Sequence, residues 1–125
     1  MVNIPDSITS LSEKHNFSRS AKYDRAWIFD NSMGPNHLWL TEWLCRDMSL
    51  SSEMTILDMG CGKALTSIFL SKEFGCTVFA NDLWISPSDN LKRISEQSLQ
   101  KHVFPSMPKL MICSMPKVFS MQLPV

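Results

Sequence analysis

The segment ILDMGCGKAL, residues 56–65, ends a short apolar run with an aspartate and then sets two glycines around one cysteine. Those residue types have a chemical use. A carboxylate accepts hydrogen bonds, and glycine, with no Cβ, lets the chain bend sharply and lets a ligand lie against bare backbone. A helix starting just after the turn offers N–H groups of its first turn to a carboxylate or phosphate. A second carboxylate, Asp82, closes another apolar run, CTVFAND, 20 residues after Gly62. Placed there, it can accept from both hydroxyls of a ribose. Together these parts describe a pocket for a nucleoside carrying an anionic tail. A plainer reading, in which Asp58 and Asp82 only cap strand ends and the glycines only make a tight turn, uses the same residues and stays open.

The surrounding elements must bring the two acids together. MTILDM (54–59) reads as a strand, and KALTSIFLSKEF (63–74) as a helix with Leu65, Ile68 and Phe69 inward and Gly75 as its C-terminal cap. CTVFAND (76–82) reads as a second strand. Pro87 after Ser86 opens a helix to about Lys101 with Leu91, Ile94 and Leu99 inward, and HVFP (102–105) reads as a third strand. Upstream, Trp39, Leu40, Trp43 and Leu44 recur at helical spacing, which places a helix over about 35–48 with Pro35 in its first turn and that stripe in the core. The NSMG turn before it is the part closer to a ligand. Alternating helices and strands predict an α/β fold with a parallel sheet. In such a sheet ligands bind beyond the carboxyl ends of the strands, where Asp58 and Asp82 stand.

Bulk properties narrow the classes. The chain has 125 residues, 44% of them apolar, and 12 basic residues against 12 acidic ones. One domain is the expectation, and no basic block suggests nucleic acid or an acidic membrane as partner. Cys45, Cys61, Cys76 and Cys113 form no CxxC pair and His15, His37 and His102 are scattered, so no metal site is expected. Buried reduced thiols in a cytoplasmic protein are the simplest use of the cysteines. The N-terminal residues lack the basic start and apolar run of a signal peptide, and no apolar stretch reaches the length of a membrane span.

A dinucleotide fingerprint would read G-x-G-x-x-G. The run here is GCGKAL, with Leu65 at the third glycine position and an aspartate two residues ahead of the first glycine. The pattern apolar-apolar-Asp-x-Gly-x-Gly instead resembles the first motif of class I S-adenosylmethionine-dependent methyltransferases, and Asp82 resembles the acid of their second motif. The resemblance covers about residues 21–105. It implies an incomplete doubly wound parallel sheet, Rossmann-like, with the first two or three strands of that family's fold. It implies S-adenosyl-L-methionine as cofactor and methyl transfer to an acceptor that the motifs do not identify. Gly60, Cys61 and Gly62 would then lie along the methionine part, and Asp58 would help hold that part through local hydrogen bonds. Asp82 would bind the ribose hydroxyls, with Leu83 and Trp84 beside the adenine. The family often has a third glycine where Ala64 stands, a departure here. No catalytic base is assigned; neither His37 nor His102 belongs to a motif. Two alternatives remain: an NAD(P)-dependent oxidoreductase fragment, which GCGKAL and Asp58 argue against, and a non-enzymatic nucleoside-binding or regulatory module.

The expected organisation is a polar arm over 1–20, a partial cofactor-binding domain over 21–105 and an aberrant, irregular tail over 106–125. The tail, SMPKLMICSMPKVFSMQLPV, has no acidic residue and no helical or strand period. Methionine has a single codon, so reading from the third base of each codon forces alanine at Met107–Pro108, Met115–Pro116 and Met121–Gln122, and aspartate at Met111–Ile112. Those forced residues fall where a methyltransferase continuation resembling FFDAI would want them, so a frameshift after about Pro105 is expected, with a genuinely divergent tail as the alternative. The first strand would then be an open sheet edge, and the chain an inactive fragment with weak cofactor binding.

Overall fold

The computed structural model describes residues 16–108 and, as backbone alone, residues 119–121. The chain forms two compact units, Met1–Met48 and Ser49–Val125. In the first unit a 3-10 turn, Ser20–Lys22, precedes helix α1 (Arg25–Asn31) and helix α2 (His37–Cys45). Asp24 starts α1 by accepting from Trp27 N–H at 3.0 Å. Asn36 starts α2, its Oδ1 accepting from the N–H groups of Leu38 (3.1 Å) and Trp39 (3.2 Å). An asparagine cap of this kind satisfies donors that have no partner inside the helix. Pro35 therefore lies before the cap and not in the first turn.

The expected inward stripe of α2 is corrected. The buried row is Leu38, Thr41, Glu42 and Cys45, while Trp43 is 57% exposed. Glu42 turns that face inward because its carboxylate accepts from Arg19 N–H (3.0 Å), Ser20 N–H (2.9 Å) and Ser20 Oγ (2.6 Å). Trp39 stacks on Phe17 with ring centroids 5.0 Å apart, and the Arg46 guanidinium sits 5.2 Å from the Phe17 centroid.

The second unit alternates β1 (Thr55–Met59), α3 (Leu65–Phe74), β2 (Thr77–Asn81), α4 (Pro87–Glu96) and β3 (Val103–Ser106), followed by β4 (Phe119–Met121). All pairings are parallel, in the order β3-β2-β1-β4. Ile56 stands beside Val78, and Val78 beside Val103; all three are fully buried. Side chains alternate between faces along a strand, so Asp58 and Ala80 share the face of this row. Leu57, Phe79 and Phe104 form the row on the other face, with the two phenylalanine rings 5.5 Å apart. Helix α3 is buried on every side from Leu65 to Ser71, as a helix at the centre of a core must be. Gly75 ends it in a left-handed conformation (φ 73°), and Ser86 caps α4 with Pro87 in its first turn, both as the sequence predicts. Helix α4 stops at Glu96, because Ser98 turns left-handed (φ 58°) and Leu99 N–H returns to Ile94 C=O at 3.1 Å. Leu91 is 45% exposed, so the inward row of α4 is Asn90 and Ile94.

The expected open edge at β1 is likewise corrected. β4 pairs with β1, matching Ile56 to Phe119, Leu57 to Ser120 and Asp58 to Met121. An unpaired strand edge leaves backbone N–H and C=O groups without partners, and a short parallel strand supplies them. The rest of the expected irregular tail, 109–118 and 122–125, lies outside the described residues.

Candidate functional site

The strand order fixes where a ligand could lie. From β1 the chain steps outward to β2 and β3, and β4 lies on the opposite side of β1. That reversal makes the carboxyl end of β1 a topological switch point, where open α/β sheets form their ligand crevice. The glycine turn is built there. Gly60 (φ 72°) and Gly62 (φ 56°) are left-handed, a conformation that a side chain disfavours. Gly60 and Cys61 N–H both donate to the Asn81 carbonyl, at 2.8 and 2.9 Å, which ties the turn to the end of β2. A Cβ placed on Gly60 would meet no atom within 4 Å, so bare backbone faces open space. Ala64 is also left-handed (φ 63°) and provides no side-chain cap to α3. The absent third glycine is thus an alanine held in a glycine-like conformation.

Asp58 lies beneath the turn, 3% exposed, and accepts from Ser67 Oγ of α3 at 2.7 Å. Burial pushes its carboxyl up to about 6; the Ser67 bond opposes the rise and the charge of Asp82 adds to it. Asp82 is bonded differently. Its Oδ2 accepts from Gly62 N–H at 2.9 Å, and its Oδ1 from the N–H groups of Trp84 (2.7 Å) and Ile85 (2.9 Å). Burial alone would raise the Asp82 carboxyl, but the N–H donors of Ile85, Trp84 and Gly62 outweigh it and hold the carboxyl below the ordinary range. Burial, then the charges of Asp58 and Asp82, push the Cys61 thiol far up, so it stays protonated. Its side chain is buried and its Sγ lies 3.6 Å from Asn90 Nδ2.

The structure brings Asp58, Gly60, Cys61, Gly62 and Asp82 into one cluster at the ends of β1 and β2. Leu83 and Trp84 follow directly and are 59% and 87% exposed. Met59, at the end of β1, and Met107, just past β3, are exposed as well. The cluster suits a ligand with a cationic or hydroxylated part against the acids and a flat apolar part against Leu83 and Trp84. Residues that sequence reasoning missed are Ser67, Asn90 and Arg93. Asn90 stands one helical turn before the inward Ile94, but its polarity hides that burial from a reading by apolar period. Nothing in the sequence pairs Ser67 with Asp58. His37, whose imidazole burial pushes below its ordinary pKa, belongs to the first unit, and no group of metal-ligating side chains occurs among the described residues. No described helix is long and apolar enough to cross a membrane.

The sequence matches no family model, and no curated protein matches it closely enough to count as a relative. Solved structures do match. A protein from Galdieria sulphuraria assigned as a sarcosine dimethylglycine methyltransferase shares 18% identity over 82% of this chain and 40% of its own, with a TM-score of 0.51. The geranyl diphosphate C-methyltransferase of Streptomyces coelicolor, solved with S-adenosyl-L-homocysteine, shares 20% identity over 67% of this chain and 36% of its own, with a TM-score of 0.49. This chain has the fold of the Galdieria methyltransferase over the part that it spans. The chain spans between 36% and 46% of the length of four solved methyltransferases that it matches. The expected α/β fold with a parallel sheet, Rossmann-like and partial, is therefore what the chain has.

Proposed function

We propose that the chain binds S-adenosyl-L-methionine at the carboxyl ends of β1 and β2, as part of a methyltransferase acting on an acceptor not yet identified. The observation that carries this reading is the bare, left-handed backbone at Gly60, open to space above and set beside buried Asp58 at the switch point of the sheet. When bound, the cofactor supplies a methyl group on a sulfonium; the protein supplies position and exclusion of water. The Gly60–Gly62 backbone, with Cys61 between, lies along the methionine part. Asp58 puts a carboxylate beneath that part and favours positive charge. Asp82 chiefly braces the turn, and its three N–H donors leave about one of its roughly four lone-pair sites for a ribose hydroxyl. The exposed Leu83 and Trp84 offer apolar surface to the adenine. The free thiols of Cys45, Cys61 and Cys76 suit a reducing cytoplasm.

Calorimetric titration with S-adenosylhomocysteine and, separately, NAD tests the reading. Saturable binding of the first and none of the second is expected. Binding of NAD instead would favour an oxidoreductase, and a cooperative thermal transition that neither ligand shifts would favour a non-enzymatic module; either overturns the proposal.

A further inference from the structure

We propose that Asn90 is a positioning residue for the glycine turn, holding Gly62 from helix α4 without touching the ligand; this rests on the cofactor reading above. Asn90 is 1% exposed, and its Nδ2 donates to the Gly62 carbonyl at 2.9 Å. Its Oδ1 accepts from Arg93 Nη1 at 3.1 Å. The second bond decides the orientation of the amide. A guanidinium only donates, so the amide oxygen must face Arg93 and the NH2 group must face Gly62. On its other side, Gly62 donates its N–H to Asp82 Oδ2 at 2.9 Å. One side chain thus grips the N–H of Gly62 and another its C=O. Those two groups flank both soft dihedrals of a residue whose φ is 56°.

The inward place that Asn90 takes, one helical turn before fully buried Ile94, is one an apolar residue fills more cheaply, since a buried amide is costly unless bonded. Here the amide is bonded to the turn and to Arg93. A turn already held in one arrangement loses less freedom when a ligand docks, which strengthens binding through pre-organisation. Arg93 acts one step further out, by keeping the Asn90 amide aimed.

Amide hydrogen exchange of the unliganded chain, followed by titration with S-adenosylhomocysteine, tests this in Asn90→Leu and Arg93→Ala. Arg93 is only half-buried, so its variant keeps the test open should Asn90→Leu not fold. Loss of one net hydrogen bond corresponds to about fivefold. The expected result for Asn90→Leu is exchange about fivefold faster at Gly60, Cys61 and Gly62, unchanged exchange in α3 and β2, and a similar fall in affinity; Arg93→Ala shows the same pattern more weakly. A purely structural role would speed exchange throughout the second unit, and that result overturns the proposal. So does unchanged exchange at the turn in both variants. A wild-type chain that binds no S-adenosylhomocysteine while the turn still loosens in both variants overturns the cofactor reading and, with it, the link from Asn90 to ligand, and it is distinguishable because the exchange pattern does not depend on the ligand.

Discussion

Replacing Asp58 by asparagine should change how stability depends on pH, in a direction that the burial of this carboxyl dictates. Asp58 is 3% exposed and titrates near 6 in the folded chain, against an ordinary 3.8. The folded state therefore binds this proton more tightly than the unfolded state. The stabilisation is fully present well below the ordinary 3.8 and is lost as pH rises through about 6. The rise from 3.8 to about 6 corresponds to about 3 kcal/mol. The asparagine variant has no proton to titrate at this position, and its amide oxygen can still accept from Ser67. The stability of wild type minus that of Asp58→Asn should thus fall by about 2–2.5 kcal/mol between pH 4 and pH 7, the remainder being lost already below pH 4. The titrations of His37 and Asp82 are also shifted in the folded chain. His37, lowered by burial, contributes stability present above about 6.5 and lost as pH falls through its lower folded value. Asp82, also lowered, contributes stability lost only as pH falls below about 3.8. Both are common to the two proteins and cancel in the difference to first order. Urea unfolding at half-unit pH steps reads the quantity directly. A difference that stays flat, or that grows with pH, refutes the assignment of a buried acid beneath the turn whose Ser67 bond only partly offsets its burial.

Three further outcomes follow from the same geometry. Gly60→Ala should cost about 1–2 kcal/mol of stability, since its Cβ meets no atom but its φ stays left-handed, while S-adenosylhomocysteine affinity in calorimetry falls more than about tenfold because the methyl occupies the bare-backbone face. The preference for S-adenosylmethionine over S-adenosylhomocysteine, which lacks the sulfonium charge, should rise as pH climbs through the Asp58 titration near 6, by at most about tenfold for each pKa unit that the bound cation lowers Asp58, and should be flat in Asp58→Asn; a flat wild-type profile contradicts the charge argument. Glu42→Ala leaves the N–H groups of Arg19 and Ser20 without their acceptor and should destabilise the first unit by about 2–4 kcal/mol in denaturant unfolding.

Much of the second unit was legible because its local signals agree. The apolar runs of β1 and β2, the glycine after α3 and the Ser-Pro start of α4 each point to the element that forms. Where polar residues turn inward, legibility fails. Thr41 and Glu42 lie on the buried row of α2, so a hydrophobic stripe drawn through Trp39 and Trp43 is rotated away from the true face. Helix α1, Arg25–Asn31, is too short for a period to show. Asn90 breaks the apolar row of α4 for the same reason that it matters: its partner is a backbone carbonyl 28 residues away. The place of Asp58, Gly60, Gly62 and Asp82 at neighbouring strand ends could be read from spacing. That Asp82 spends its carboxylate on three backbone donors could not, because the donors are defined only once the turn after β2 has folded.

The site itself is most directly tested by titrating the isotopically labelled chain with S-adenosylmethionine and following every backbone amide by NMR. Saturable shifts concentrated within the second unit at Gly60, Cys61, Gly62, Leu83 and Trp84 are the expected result. Shifts centred elsewhere, or none at millimolar ligand, would contradict a cofactor held at this turn.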